Sequence, residues 1–288
     1  MGEIKKILII IIPLLLILSY NNCGKVQFSN TTNSLNSNDP PTICSPFGNG
    51  GGGQANNGLV ASSIHYLGAD QYDISGNTAV TISSFSDIWT KSDSVEKVNV
   101  FMNSINNPDH YWTSGFITSR GQELTLSNGT PILQYFSFVF LSNLVLGSLQ
   151  PGNYQLAVLS DDAANITLTG ALGNNTDLVL KNDGMHSMTM ACASNTISLD
   201  SSSSFPLELD YADGPPVYTG VIIMTRPISP GESLSYVQCG KPEGDGYFFD
   251  QNGTPTPNYT ALLNAGWAPL APTNYVLPSS HPVNPCAD

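Results

Sequence analysis

Positive charge is what this sequence has least of. Its 288 residues include nine lysines and arginines against 22 aspartates and glutamates, a formal net charge of −13. So little basic charge cannot neutralise a phosphate backbone, which excludes nucleic acid as a partner. Helical periodicity is also scarce. The best helix candidate is SDSVEKVNVFMNSI (92–105), with a short helical turn at NYTALLNAG (258–266). Motifs of catalysis are missing: there is no GxSxG and no HExxH, and His65, His110, His186 and His281 are scattered. Paired carboxylates can hydrolyse glycosides, but they must flank a bond from opposite sides, which adjacent residues do not suggest. The chain therefore reads as a non-enzyme. Without CxxC a structural zinc is not expected, and GNGGGG (48–53), with no GK[ST] after it, is not a phosphate loop.

Long apolar runs are absent except one. Lys5 and Lys6 precede Ile7–Leu18, which is shorter than the roughly 20 residues of a membrane-crossing helix and suits the core of an export signal. Cys23 follows a few residues later. A signal meeting a cysteine in this way resembles that of a bacterial lipoprotein, although Asn21 and Asn22 stand where small residues are usual. The resemblance implies lipidation at Cys23, a membrane anchor, and an outer-membrane or cell-surface location. Four cysteines then remain: Cys44, Cys192, Cys239 and Cys286. In an oxidising compartment they suggest two disulfides with three possible connectivities. Cys44 and Cys286 flank the globular part, so a clasp between them, with Cys192–Cys239, is the preferred pairing.

The expected organisation is a signal peptide (1–22), a disordered Asn/Ser/Gly tether (23–58), a sandwich (59–230) and a C-terminal extension packed on it (231–288). From Leu59 onward, short β-branched and aromatic stretches alternate with Gly, Asn, Asp and Pro. Strands are expected at 59–67, 77–85, 122–127, 132–140, 153–160, 165–170, 177–181, 187–192, 195–200, 205–212 and 218–225. The fold class is all-β, an antiparallel β-sandwich with long loops. Prolines crowd the last fifty residues and exclude central strands there, leaving an irregular wrap.

YQLAVLSDDAANITL (154–168) poses a problem, because Asp161 and Asp162 stand side by side at what reads as a hairpin tip. PGNYQLAVLSDDAANITL (151–168) resembles the G-x-Y-x-F strand and S-D-D segment of the protective-antigen-type (PA14) β-sandwich family. GLVASSIHY (58–66), YWTSGFI (111–117), LVLKNDGMHS (178–187, read as a hairpin) and FPLELDYADG (205–214) resemble further family motifs in the same order. Ala163 stands where many members have glycine. The resemblance spans about residues 59–226. In the flocculin-like lectin branch it implies a cis peptide between the two aspartates and a Ca²⁺ site. The side-chain ligands would be Asp161, Asp162 and Asp213, and sugar hydroxyls would complete the shell. The chemistry is reasonable in itself, since Ca²⁺ takes six to eight hard oxygens. Neighbouring strand residues point to opposite faces, so two of them can share an ion only where the backbone turns sharply.

Other candidates are ligand contacts. Asp183 and His186 lie in NDGMHS, where Gly184 suits a tight turn needing positive φ. Asp245, Asp250 and Asn252 lie in GDGYFFDQNG (244–253), beside aromatics; the stretch lacks the glycine spacing and closing Glu of an EF-hand and reads otherwise as a polar loop. Trp112 is expected in the core. The functional reading is a surface-anchored, Ca²⁺-dependent carbohydrate-binding or adhesion lipoprotein with a glycan or polysaccharide partner. The alternative is a non-catalytic envelope module that contacts proteins and uses the aspartates only to organise loops.

Overall fold

The structure is a computed structural model. It describes residues 40–47, 54–69, 71, 80–92, 94–214, 218–241, 243–244 and 246–287. The signal-like segment, Cys23 and Asp245 lie outside the described residues.

Two sheets pack face to face. The first places β1 (Thr42–Cys44), β5 (Asn99–Met102), β2 (Leu59–Ala61), β7 (Phe136–Val145), β12 (Ser204–Asp213), β9 (Ala164–Leu168) and β10 (Leu178–Asn182) side by side. β12 runs along all of β7. The other edge of β7 is shared by β2, β3 (Ile64–Tyr66) and β15 (Tyr275–Val276), and β4 (Ser94–Glu96) pairs with β3. The second sheet orders β11 (Thr189–Leu199), β8 (Gly152–Asp161), β13 (Tyr218–Pro227) and β14 (Ala268–Pro269), with β6 (Asn106–Tyr111) also on β13. Among the strands named here pairing is antiparallel except for β1 beside β5, and an isolated parallel bridge joins Met190 to Cys239.

Alternation explains the core. Phe136, Phe138 and Phe140 of β7 and Leu207, Leu209 and Tyr211 of β12 point inward. They meet Leu156 and Val158 of β8 and Val221 and Ile223 of β13. Each such side chain contributes about 1.5–3 kcal/mol of burial. The outer faces are covered too. Phe248, Phe249, Tyr259, Leu262 and Trp267 lie over Ala157, Leu159, Ile222 and Met224 of the second sheet. Helix α1 (Phe85–Lys91) covers part of the first sheet through Phe85 and Ile88.

Several expectations change. Residues 94–96 and 99–102 are strands, not the helix expected over 92–105. Val100 is buried on β5 and Val98 in the link just before it, and β-branched residues suit a strand better than a helix. The helix lies just upstream and begins at Phe85, the last residue of the strand expected at 77–85; residues 80–84 form no strand, and 77–79 lie outside the described residues. Ser84 Oγ accepts from Asp87 N, and Asp87 pairs with Lys91 one turn on at 2.7 Å. The turn at 258–266 is a full helix, α2 (Pro257–Asn264), capped by Thr256. Residues 122–127 form only isolated bridges. The 187–192 and 195–200 stretches are one strand, β11, with a register shift between them. The tether boundary at 58 also moves: β1 pairs with β5, and Ile43 and Phe47 enter the core. Two apolar residues among polar neighbours had too little pattern to be read as a strand.

Both disulfides of the preferred pairing are present, Cys44–Cys286 and Cys192–Cys239.

On the outer face of β12, burial and then the Glu208 and Asp183 carboxylates push Asp210 up to about 6. Lys181 stands two strands away across Asn165. The folded value is raised, so between about pH 4 and pH 6 the native state holds a proton that the unfolded chain has released. Stability therefore falls as pH rises through that window. Solvent screening of this partly exposed group reduces the effect to about 1–2 kcal/mol. Asp210→Asn is expected to stabilise the protein at pH 7 and leave it unchanged at pH 4 in urea titrations. An equal gain at both would show that ionisation is not the cause.

Candidate functional site

Asp161 and Asp162 do not sit at a hairpin tip. β8 belongs to the second sheet and β9 to the first, so the aspartates stand where the chain crosses between sheets. The segment between β10 and β11 makes the same kind of crossing rather than a hairpin, and β12 to β13 is a third. Each flanking strand buries one face wherever its partner lies, so local sequence cannot separate a hairpin from a crossover.

Asp162 joins the three crossovers. Its Oδ1 accepts from His186 N at 2.7 Å, in the second, and its Oδ2 accepts from Gly214 N at 2.7 Å, in the third. The Asp161–Asp162 peptide bond is cis. Gly214 has no room for a side chain, because a Cβ there would run into Met185 Sδ and come within 2.8 Å of Asp162 Oδ2.

Beneath these loops lies Tyr211. Its hydroxyl donates to Asp161 O at 2.8 Å, shares a 2.6 Å hydrogen bond with Thr219 Oγ1, and lies 3.4 Å from Asp213 Oδ2. Asp161, Asp162 and Asp213 are all buried. Burial first, and then the neighbouring Asp162 charge, push the Asp213 carboxyl well above the usual carboxylate range. Hydrogen bonds from Thr219 and Tyr211 oppose the shift, and Asp109 adds to it. Tyr211 is likewise raised well above its ordinary value, chiefly by burial.

Asp109 was not a candidate from sequence. It lies on β6, is 1% exposed, and acts electrostatically on Asp213. Gly220 lets β6 approach, since a Cβ there would stand 2.7 Å from Asp109 Cα. β6 reads NNPDHY, in which Asn107 and Asp109 alternate as buried positions. A strand with a polar inward face gives no hydrophobic signal, and Pro108 argues locally against a strand at all.

The remaining candidates separate. Asp183 Oδ1 accepts from Phe85 N at 2.9 Å and Gly184 N at 3.1 Å, tying α1 to its own loop, and Gly184 has φ of 122°. His186 contributes its backbone N–H to Asp162, while its ring nitrogens lie 3.0 Å from Ser187 O and 3.2 Å from Asn182 O. Asp250 is not with the buried aspartates. It is exposed, and its Oδ1 accepts from Asn252 N and Thr254 N within one loop, which lowers its carboxyl below the usual range. Asn252 lines a small cleft of about 160 Å³ beside Asn107, Pro108 and His110. Trp112 is in the core, edge-on to Phe47 at 5.6 Å.

The donor set suits a hard cation: buried carboxylates of like charge, with no sulfur and no imidazole among the four. Among the described residues, however, no three His, Cys, Asp or Glu side chains are gathered closely enough to ligate one ion. The carboxylates are neighbours in one buried region without forming a finished coordination shell.

No protein-family model matches the chain, and no curated protein does. Among solved structures, it is similar to a PA14 sugar-binding domain from an RTX adhesin, with 16% identity over 62% of this chain and 93% of that one and a TM-score of 0.35. It is also similar to the PA14 domain of the antifreeze protein MpAFP, with 15% identity over 63% and 87% and a TM-score of 0.36. A third is the epithelial adhesin 6 A domain from Candida glabrata in complex with Galβ1-3GlcNAc, with 14% identity over 67% and 88% and a TM-score of 0.36.

Proposed function

We propose that this chain is a non-catalytic, surface-anchored glycan-binding or adhesion protein whose site is completed by Ca²⁺. One observation carries the reading: Asp109, Asp161, Asp162 and Asp213 are all buried, and burial first, then the Asp162 charge, push the Asp213 carboxyl up. Gathering carboxylates in a poorly solvated place is unfavourable unless a proton or a cation offsets it. In this reading Asp161, Asp162 and Asp213 hold the ion. When bound, Ca²⁺ supplies open coordination positions for the hydroxyls of a sugar. The chain's own part is to hold three crossovers in place through Asp162 and to exclude water beneath them through Tyr211. The two disulfides favour an oxidising, extracytoplasmic setting. Lipidation at Cys23 belongs to the same proposal, and a mass spectrum of the native N-terminus showing an unmodified cysteine would remove it.

A second reading has its own support. Both oxygens of Asp162 already accept backbone N–H groups, as expected if the aspartates serve only to organise loops. Thermal melting with Ca²⁺ and with chelator separates the two. A cation held at about a hundred times its dissociation constant adds about 2.7 kcal/mol, or roughly 5–10 °C for a domain of this size. Asp213→Asn is expected to abolish that difference. Identical melting of the wild type in Ca²⁺ and in chelator would leave the loop-organising reading.

A further inference from the structure

A second concavity lies at the end of β6, and none of the four buried aspartates lines it. It is about 380 Å³ and is walled by the Cys44–Phe47 segment on one side and by residues 110–117 on the other. That volume falls in the range of small-molecule sites. Its lining is amphipathic. Tyr111 and Ile117 are 41% and 51% exposed, and Ser45, Thr113 and Ser114 bring hydroxyls to the same walls. Tyr111 is held from behind by Tyr218, their ring centres 4.5 Å apart. Lone apolar side chains on a surface need no explanation, but two converging on one concavity with hydroxyls between them do.

Trp112 lines the same cleft with the small part of its ring that is exposed, and its indole N–H is enclosed in the protein. The smaller cleft beside Asn252 shares Phe47 and His110 with this one, and the two concavities adjoin.

We infer that this groove is a second saccharide site, independent of Ca²⁺. A pyranose ring has an apolar C–H face and a rim of hydroxyls. Tyr111 would take the face, and Ser45, Thr113 and Ser114 would take the rim. Because Tyr111 is already braced by Tyr218, little ordering is lost on binding. The ligand class rests on the glycan-binding reading above, whereas the location does not.

The test uses the full chain with both disulfides intact. Lactose, cellobiose and chitobiose are titrated at millimolar concentration in EDTA, observed by saturation-transfer NMR and by tryptophan fluorescence. At least one is expected to bind without calcium and to perturb Trp112. Tyr111→Ala should weaken that binding about tenfold, and Tyr111→Phe should retain it. The ratio follows from losing a stacked ring. Tyr111 is half exposed, so its variants should melt as the wild type does, and a melting curve checks this. The groove assignment is overturned if none of the three sugars binds in EDTA, or if binding is indifferent to Tyr111→Ala. A calcium-induced gain in affinity reports on the aspartate site alone, so either proposal can fail without the other.

Discussion

Replacing Cys44 and Cys286 with serine is expected to lower the unfolding free energy by about 5 kcal/mol, as the upper limit of a chain-entropy argument. The bond joins residues 242 positions apart, so its loss frees almost the whole described chain in the unfolded state. The Cys192–Cys239 bond encloses a separation of 47, and its removal is expected to cost about 4 kcal/mol. The order of the two matters more than either value. The first loss should also be local. β1 has three residues and lies at the edge of its sheet, held by its parallel pairing with β5. Without the clasp, amide exchange at Ile43 and Ser45 should accelerate more than exchange in β7. Urea titration of the double serine variant decides the matter. A change under about 1 kcal/mol would mean that the clasp does not restrain the unfolded chain, and uniform acceleration of exchange would mean that β1 is not the element it holds.

Trp267→Ala is expected to cost 3–5 kcal/mol, the range for deleting a large buried aromatic. Trp267 is 1% exposed and lies in the cluster that covers the outer face of the second sheet. It also shields a buried cation. The Arg226 guanidinium lies 5.2 Å from the Trp267 ring and 5.9 Å from that of Tyr236. Its Nη2 donates to Gln155 Oε1 at 2.8 Å and to Ser233 O at 3.2 Å. Removing the indole therefore opens a cavity and weakens the setting of a charge. Trp267→Phe keeps an aromatic ring and loses an N–H that has no acceptor among the described residues, so it should cost well under half as much. The unfolding transition should stay single, since Met224 and Thr225 of β13 pair directly with β14. Two separated transitions would show that the C-terminal segment folds apart from the sandwich.

How far the sequence reached differs between fold and site. The strands at 152–161, 204–213 and 218–227 were legible because they are long, carry β-branched and aromatic residues and end at Gly, Asp or Pro. Residues 92–105 misled because a Ser-Asp start and spaced apolar residues imitate a helix, while Val95, Val98 and Val100 favour a sheet only once a partner strand is present. In the site, Asp161, Asp162 and Asp213 were named through resemblance to a family motif, and the structure places all three in one buried region. Asp109 was silent, because a buried carboxylate on a strand with a polar inward face looks the same in sequence as a solvated loop residue. Asp250 stood between a ligand contact and a polar loop, and its oxygen accepts from its own turn.

By itself, then, the sequence determined an acidic, all-β, disulfide-bearing chain and the positions of its paired aspartates, because composition, polarity alternation and cysteine number act locally or as sums. Only the tertiary structure decided that the aspartates stand at a crossing between sheets. The same is true of Asp162 joining three crossovers through two backbone N–H groups, and of a fourth carboxylate arriving from β6. These depend on which strands become neighbours, and a pairing energy between residues 50 or 100 positions apart leaves no trace in either segment read alone.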